Sequence, residues 1–557
     1  MGSLSPSSSS SASRRTTRIW VPVFFILLLL TLIHFLLPSS HSSSSIHQPN
    51  YSNADLKAKN YLNSSEPVLP NPFEFCPSYS PGDKIGAKYG AVTLSKSRMH
   101  LGSGARIQRV LNKALAGQSV TISVLGGSVS ACHGAGDDPI SPTCYPSRFF
   151  QWWNTVFPHP ATELTNGALR RTNSGYFGYC NSHHLPDQTD LVIIELDTED
   201  EPNQDMMDHF EILIRSILIR PDKPAVLLLG HFSPQTHQTH GFAGPDHWHN
   251  IVAQFYDVPH VSVKSALFPD YMRDPKSIQK YFVDPVLASP SGHELISEIL
   301  VAYFQSQICT AWSVATGSSY EAVPMHTAGS EAGAGDAHGL FGGIGQRPGV
   351  PEPEKDLAVD AAVEKKMAAA AAAMKDRGSS SSSSSSSSQL LTVPSGRINT
   401  RPNGNRPFEE IAPFCVSAND LINPLPPSLF YGSGWYARHP SGSGGDALIT
   451  AAHYWHSSLP TSKLRIPILV GGGDIGVYYL REPVGVVGEG SSVECWVDDN
   501  YAGAKVIENA ADVGDAVPTF KMIDHYVGRG SHFVECQLLG EEGQSVPMFK
   551  IIGIFAT

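Results

Sequence analysis

The chain has 557 residues and a formal net charge of -12 at pH 7. This length suits two or three domains, each large enough to bury a hydrophobic core. Charged residues make up 16% of the sequence, less than the usual quarter, and the sequence has no basic stripe that would bind nucleic acid. We therefore expect no nucleic-acid partner.

An uncharged apolar segment at residues 19–37 is long enough to cross a bilayer. Arg14, Arg15 and Arg18 precede it, and basic residues before a span favour a cytoplasmic N-terminus. The alternative is a cleaved signal peptide, whose apolar region is usually only about 7–15 residues long. The sequence therefore predicts a cytoplasmic disordered tail at 1–18 and a transmembrane signal anchor at 19–37. We expect a single-pass type II membrane protein, with its body in the lumen of the Golgi or secretory pathway, or at the cell surface.

The polar segment at 38–66 is predicted to be a lumenal stem. It contains glycosylation sequons at Asn50 and Asn63. All eight cysteines follow the apolar segment, where disulfides can form, and none has the Cys-x-x-Cys spacing of a zinc or thioredoxin-like site. Spacing alone leaves their connectivity open. Two candidate pairs are Cys132 with Cys144 and Cys495 with Cys536.

Residues 67–312 alternate short apolar runs with helix-like segments. This alternation predicts a flavodoxin-like parallel sheet with helices on both faces. The predicted strands are 120–125, 191–196, 225–230 and 260–263, and the predicted helices are 105–116, 147–157, 205–219, 246–256 and 292–309.

Residues 313–405 have a different composition, which includes ten consecutive serines at 379–388. Such a segment buries too little apolar surface to offset the entropy lost on ordering it. We therefore predict a low-complexity linker between two domains.

Residues 406–557 contain short apolar runs separated by glycine-rich turns. This pattern predicts a C-terminal antiparallel β-sandwich. Its strands are predicted at 465–470, 475–480, 493–497, 532–538 and 548–555. Five aromatic residues here would suit stacking on sugars, although packing in the core is the favoured interpretation for most of them. They are Trp435, Tyr436, Trp455, Trp496 and Tyr501.

The apolar run 120–125 ends at Gly126 and Gly127, and Ser128 follows immediately. Glycines permit a tight turn and the close approach of a substrate. Because ligands of open α/β sheets bind at the carboxyl ends of the strands, we expect this serine at the site. Taken alone, the segment is equally compatible with an ordinary turn and a solvent-facing serine.

Four segments occur in the order and spacing of the motif blocks of one enzyme family. They are Leu-Gly-Gly-Ser128-Val-Ser, Thr-Asn-Gly167-Ala, the segment 190–200 and the segment 284–293. With them, this part of the chain resembles the SGNH (GDSL-like) hydrolases, and most closely their eukaryotic membrane-anchored members. The resemblance implies that Ser128 is the nucleophile. It also implies that the N–H groups of Ser128 and Gly167 donate to the oxyanion.

Two positions depart from the family pattern. Glu199 stands where the family has an asparagine that donates to the oxyanion, and an ionised carboxylate would repel that charge. In the Asp-x-x-His block Asp284 is kept, but Leu287 replaces the histidine base, and leucine accepts no proton. His293 is the best candidate for a substitute base. Nothing in their spacing selects any of the other histidines considered, which are His133, His183, His184, His231, His247 and His249.

The His-rich stretch 231–249 does not predict a metal site. His247 and His249 are two residues apart, which on a helix points them away from each other. We expect neither a metal nor a cofactor.

The favoured function is a serine esterase or O-acyltransferase of the secretory pathway. Its expected partners are an acyl ester or carbohydrate substrate and the membrane, through one N-terminal helix. The alternative, motivated by Glu199 and Leu287, is a catalytically inactive SGNH-fold binding or scaffold protein. A third interpretation makes the C-terminal sandwich the functional module.

Overall fold

A computed structural model describes residues 53–63, 70–317, 393–399, 408–419, 431–440 and 449–557, and all of them belong to one compact unit, Asn53–Thr557. Within these ranges no helix has the length and apolar character needed to span a bilayer. The predicted tail, the predicted anchor, Asn50 and most of the predicted linker lie outside the described residues.

The N-terminal part contains a six-stranded sheet. Its strands are β1 (Arg98–His100), β2 (Thr121–Gly126), β3 (Glu163–Asn166), β4 (Leu191–Glu195), β5 (Ala225–Gly230) and β6 (His260–Ser262). The order is β1-β6-β5-β4-β2-β3, and only the edge strand β1 is antiparallel to its neighbour. Without β1, the order is that of a flavodoxin-like sheet. The predicted fold class is confirmed.

Helices pack around this sheet. They are α1 (Lys84–Tyr89), α2 (Ala91–Lys96), α3 (Ala105–Leu115), α4 (Tyr145–Val156), α5 (Ser174–Cys180), α6 (Gln204–Leu218), α7 (Pro234–His240), α8 (Pro245–Tyr256), α9 (Lys264–Arg273) and α10 (Pro290–Ala315). The strands β2, β4 and β5 are buried almost throughout, because helices cover both faces of a parallel sheet. The helix α10 continues past the predicted domain end at 312.

The C-terminal part is a β-sandwich of two sheets. One sheet contains β15-β12-β18-β10-β9 in this order, with β16 paired to β12 and β7 to β18, and the other has the order β14-β13-β17-β11-β8. All pairs are antiparallel except the short pair of β12 with β15. The strands are β7 (Phe414–Ser417), β8 (Tyr431–Ser433), β9 (Tyr436–Arg438), β10 (Tyr454–Ser457), β11 (Lys463–Val470), β12 (Ile475–Pro483), β13 (Ser492–Val497), β14 (Lys505–Glu508), β15 (Ala510–Ala511), β16 (Val517–Asp524), β17 (Gly530–Leu538) and β18 (Phe549–Ala556), and a short helix α11 (Val484–Val487) follows β12.

The aromatic residues considered for sugar stacking fall into two groups. Trp435, Trp455 and Trp496 are buried in the sandwich, as the core-packing interpretation predicts. Tyr436 and Tyr501 are 60% and 58% exposed. Of these five aromatic residues, only the two tyrosines are therefore open to solvent.

Four disulfides join all eight cysteines. The candidate pairs Cys132–Cys144 and Cys495–Cys536 are both present. A further pair, Cys76–Cys309, lies within the α/β domain. The fourth pair, Cys180–Cys415, joins the end of α5 to β7 and so links the two domains covalently.

The two domains share a hydrophobic core. One cluster of buried residues contains both helix residues of the α/β domain and sandwich residues such as Tyr478 and Phe555. The Tyr176 hydroxyl lies 3.1 Å from Ser417 Oγ across this boundary. Residues 393–399, inside the predicted linker, also contact α6, because Arg215 donates to the carbonyls of Pro394 and Gly396 at 2.9 and 2.8 Å. This described part of the predicted linker, residues 393–399, is therefore attached to the α/β domain.

Limited proteolysis of the oxidised protein is expected to cut between residues 318 and 392, in the serine- and alanine-rich sequence. The two products should run together on a non-reducing gel and separate only after reduction, because Cys180 and Cys415 lie on opposite sides of the cut. Products that separate without reduction would contradict this disulfide. First cuts inside 70–317 or 449–557 would contradict the domain boundaries.

Candidate active site

Ser128 and Glu199 follow two neighbouring strands. Ser128 comes after β2, Glu199 comes after β4, and these strands are paired in parallel. The strand order reverses here, since β3 lies outside β2 while β5 and β6 lie beyond β4. In open α/β sheets such a reversal creates the crevice where ligands bind.

The two side chains are in direct contact. The Ser128 hydroxyl donates to Glu199 Oε1, and the Ser128 backbone N–H donates to the same oxygen at 2.8 Å. A Cβ on Gly127 would lie 2.1 Å from Glu199 Cγ, so this position must be glycine for the carboxyl to approach. The N–H of Arg171 donates to Ser128 Oγ at 3.0 Å. The hydroxyl therefore contacts both a carboxyl and a backbone donor.

Glu199 is set up to accept a proton more readily than an ordinary glutamate. Burial raises its pKa, since a charged carboxylate is poorly solvated there. The hydrogen bonds from Ser128 oppose this rise, and the charge of Asp200 adds to it. The net direction is upward, which makes the carboxylate a stronger base.

His293 occupies a different position from the one expected of a base. Its Nδ1 accepts the N–H of Tyr145 at 3.3 Å at the start of α4, and its ring stacks on the Tyr145 ring with centroids 6.0 Å apart. Complete burial lowers its pKa to about 3, so it stays neutral. The structure brings His293 to the helix terminus, whereas the partners of the Ser128 hydroxyl are Glu199 and Arg171.

Asp284 and Leu287 form a local turn. The Asp284 carboxylate accepts the N–H groups of Val286 and Leu287 at 2.7 and 2.6 Å. The Leu287 side chain packs on the core of the α/β domain. The structure therefore gives Asp284 backbone partners within its own turn.

The predicted oxyanion donors already have acceptors. The Gly167 N–H donates to the Val124 carbonyl at 2.9 Å, and the Ser128 N–H donates to Glu199. A Cβ on Gly167 would lie 2.1 Å from the His184 carbonyl oxygen, which explains the glycine by packing. A third N–H, that of Arg171, is the one aimed at the hydroxyl oxygen itself.

Most of the other histidines considered as bases bond to other groups or face solvent. His133 pairs with Asp137, His184 with the Tyr176 hydroxyl and His231 with the Val286 carbonyl, while His247 is exposed and His183 belongs to a short 3-10 helix, Asn181–His183. Among the described residues no group of three or more acidic, histidine or cysteine side chains could hold a metal ion.

His249 holds the loop that carries Glu199. Its Nδ1 lies 2.7 Å from Asp197 Oδ1 and its Nε2 lies 2.9 Å from Asp200 Oδ2, so it bridges the residues on both sides of Glu199. All three side chains are buried, and the imidazole stacks on Phe210 with centroids 3.9 Å apart. Burial alone would lower the His249 pKa, but the two aspartates raise it to about 10.

Burial raises the pKa of Asp197, and its hydrogen bond with His249 opposes that rise. We take the charged cluster as the state at neutral pH, because the imidazole lies between two carboxylates within 3 Å.

A second buried acid lies beneath the site. Ser130 Oγ donates to Glu195 Oε2 at 3.0 Å and lies 2.8 Å from the Tyr145 hydroxyl. Burial, together with the charge of Asp197, raises the pKa of Glu195 to about 8. This carboxyl is therefore mostly protonated at neutral pH.

The sequence motifs indicate both Ser128 and Glu199 as site positions, but the family pattern assigns Glu199 only the loss of an oxyanion donor. The approach of the two is a consequence of the strand order, which a flavodoxin-like sheet already implies. The Arg171 N–H is a backbone group and leaves no signal in the sequence. The sequence holds one signal for Asp197 and Asp200. They lie two and five residues after the end of β4, where site residues are expected.

No protein-family model and no curated protein sequence matches the chain. Solved structures do. A two-domain esterase (CEX) active on acetylated mannans is 18% identical with a TM-score of 0.52, and the match covers 83% of this chain and 98% of that one. The structure of such an esterase co-crystallised with mannopentaose is 17% identical with the same score, covering 83% and 97%. The chain therefore shares the overall fold of these two structures, and in this chain that fold is an α/β domain followed by an antiparallel β-sandwich.

Proposed function

We propose that this protein is a serine esterase that removes acyl groups from carbohydrates, with Ser128 as nucleophile and Glu199 as its base. The observation that carries this proposal is the contact between the Ser128 hydroxyl and Glu199 Oε1 at the strand-order reversal. A serine attacks an ester only when a base takes its proton. In this site the group placed to do so is a carboxylate.

The reaction balances with these two residues and water. Ser128 Oγ bonds to the ester carbonyl carbon while its proton passes to ionised Glu199, which leaves a tetrahedral oxyanion beside a neutral carboxylic acid. The C–O bond to the sugar then breaks, and Glu199 returns the proton to the sugar oxygen. Water repeats both steps on the acyl-serine and releases the carboxylic acid. With a second sugar hydroxyl in place of water, the same steps give an O-acyltransferase.

With Glu199 as the base, its carboxylate no longer repels the oxyanion. A carboxylate that stays ionised would repel the oxyanion. A carboxylate that has just taken the serine proton is neutral when the oxyanion forms, so the negative charge moves from Glu199 to the substrate. The Ser128 N–H, released by the neutral acid, and the Arg171 N–H then become donors for that charge.

The substrate class rests on similarity. The esterase with the same two-domain fold acts on acetylated mannans. We therefore propose acyl esters of polysaccharides, with acetyl mannan as the first substrate to test.

One observation favours a second candidate, an inactive binding protein. Glu199 already takes the Ser128 N–H, a donor that an oxyanion needs. On this model the wild-type protein binds carbohydrate without turnover. Replacing Leu287 with histidine and Glu199 with asparagine would then restore a base and a donor and create weak activity.

The two candidates differ in wild-type activity on 4-nitrophenyl acetate and acetylated mannan. The esterase proposal predicts turnover that falls by roughly 10³-fold or more in Ser128→Ala. Ser306→Ala, which removes a serine hydroxyl bonded to the Tyr303 carbonyl in α10, is the matched control and should match the wild type. Activity that survives Ser128→Ala refutes Ser128 as the nucleophile. An inactive wild type that still binds mannan favours the second candidate.

We also propose that the protein is anchored in the membrane through residues 19–37, with its body in the secretory lumen. Asn63, which is exposed, and Asn50 should then be glycosylated. We expect glycosidase treatment of the protein from a eukaryotic host to lower its apparent mass, and Asn50→Gln with Asn63→Gln to remove the shift. A protease that degrades residues 70–557 from outside sealed microsomes would contradict this orientation.

A further inference from the structure

We infer that the β-sandwich helps to form the catalytic site, because its residues Ile449 and Thr450 position the Arg171 N–H at Ser128 Oγ. This inference rests on the proposed esterase function and deepens it. It makes Thr450 a positioning residue, which acts on the nucleophile through the segment Arg170–Thr172.

The Arg171 backbone is held in an unfavourable conformation. Its φ is +52°, in the left-handed region that residues with a Cβ disfavour. Its side chain is exposed, so side-chain packing does not select this conformation. Yet its N–H makes the 3.0 Å hydrogen bond to Ser128 Oγ. The neighbouring residues must therefore impose the conformation.

Both neighbours of Arg171 are fixed by the sandwich. Arg170 forms a parallel β-bridge with Ile449. Thr172 Oγ1 is hydrogen-bonded to Thr450 Oγ1, and both threonines are fully buried. The segment that supplies the N–H is thus paired with a segment of the sandwich across the domain boundary.

The buried hydroxyls form a series of hydrogen bonds in which the donor of each bond can be assigned. Thr172 donates to the Arg170 carbonyl at 2.9 Å, which leaves the Thr450 hydroxyl to donate to Thr172. Asn419, which follows β7, approaches Thr450 Oγ1 through its Nδ2 at 3.5 Å. In this series of hydrogen bonds Thr450 and Asn419 belong to the sandwich, whereas Thr172 and Arg170 belong to the α/β domain. Removing the Thr450 hydroxyl therefore leaves a buried acceptor unpaired beside the segment that positions the nucleophile.

The remaining contacts around the boundary keep this pairing in register. The Cys180–Cys415 disulfide and the contacts of the Tyr176 hydroxyl with Ser417 and Asn419 attach β7 to α5, which begins two residues after Thr172. On the other side, Ser174 N–H donates to Asp200 at 2.8 Å, in the loop that carries Glu199. The sandwich, the Arg171 donor and the Glu199 base are thus connected through one short stretch of chain.

The chemical consequence is the direction of the Ser128 proton. A donor at one side of Oγ occupies a lone pair, which leaves the O–H to point at Glu199. Displacing that donor disorders the proton-transfer geometry and also moves a donor to the oxyanion. A positional error of about 1 Å at a reacting group costs on the order of 10²-fold in rate.

The test compares variants of the whole protein by kcat and KM on 4-nitrophenyl acetate. Thr450→Val keeps the shape but removes the hydroxyl, and we expect kcat to fall by roughly 10- to 100-fold with KM nearly unchanged. Thr450→Ser keeps the hydroxyl and should restore kcat. Thr189→Val is the matched control, because it breaks a buried hydroxyl pair with Ser123, 2.8 Å long, at the opposite end of β4. It should leave kcat unchanged.

A second pair of variants tests the same point through the backbone. The backbone N–H is present in both variants, but glycine adopts a positive φ freely and β-branched valine does not, so Arg171→Val should lower kcat much more than Arg171→Gly does. A KM change common to both reports the lost side chain. An active wild type with unchanged kcat in Thr450→Val, or equal kcat losses in Arg171→Gly and Arg171→Val, overturns the inference alone. An inactive wild type overturns it together with the esterase proposal.

Discussion

Replacing Glu199 with glutamine is expected to lower kcat by roughly 10²- to 10⁴-fold, the range that a general base contributes. The amide oxygen can still accept the hydrogen bonds that Ser128 makes to Glu199 Oε1, so the local structure is kept. It cannot take the proton. Glu199→Asp, which shortens the side chain by one methylene, should retain part of the rate at a longer proton-transfer distance.

The pH profile identifies the base more specifically than the loss of rate does. Only ionised Glu199 accepts a proton, so wild-type kcat should rise with pH through the pKa of this group. Burial raises that pKa, and the rise should therefore occur above the usual glutamate value of about 4.3. The residual activity of Glu199→Gln should lack this limb.

Glu201→Gln is the control for Glu199→Gln, since Glu201 is exposed and only two residues away. It should keep the wild-type rate and pH profile. Wild-type kcat in Glu199→Gln would contradict Glu199 as the base, and the loss of activity in His293→Ala but not in Glu199→Gln would return that role to His293.

His249→Ala is expected to lower the free energy of unfolding by about 3–5 kcal/mol, the usual cost of removing one partner from a buried ion pair. The variant leaves Asp197 and Asp200 buried without the imidazole that lies 2.7 and 2.9 Å from them. Urea unfolding with intact disulfides measures the change. His247→Ala, at an exposed position in the same helix, should cost little.

The same cluster predicts how stability varies with pH. The folded pKa of His249 is raised to about 10, against about 6.5 for an unfolded histidine. A raised pKa stabilises the fold fully below the unfolded value, and this contribution is lost as the pH rises through the folded value. The wild-type free energy of unfolding should therefore fall between about pH 6.5 and 10, by up to about 1.4 kcal/mol per pH unit. His249→Gln should lack this slope, and an equal slope in both proteins would contradict a charged His249.

Much of the fold is predictable from local sequence patterns. The runs that form β2, β4 and β5 are largely apolar because both faces of these strands are buried, and turn residues mark their ends. Helices α1, α2, α5, α7 and α9 were not predicted. The first four of these are only six or seven residues long and too short for a clear helical period. Their positions depend on packing against the rest of the domain.

The site was predictable only in part. The block around Ser128 indicates a nucleophile because glycines end a buried strand there. The meaning of Glu199 depends on the distance between two chain segments, and the family pattern favoured a loss of function. The contact of Thr450 with Thr172 joins residues 278 apart, and no local pattern reports such a pair.

Fluorophosphonate labelling followed by peptide mass spectrometry tests the central claim most directly, because Ser128 Oγ must displace fluoride from the probe without any sugar being bound. We predict labelling of the wild-type protein at Ser128, at a rate that rises with pH through a pKa above the usual glutamate range, and labelling at least roughly 10²-fold slower in Glu199→Gln. Equal labelling rates in the two proteins, or a wild type in which Ser128 takes no label at any pH, would contradict the account.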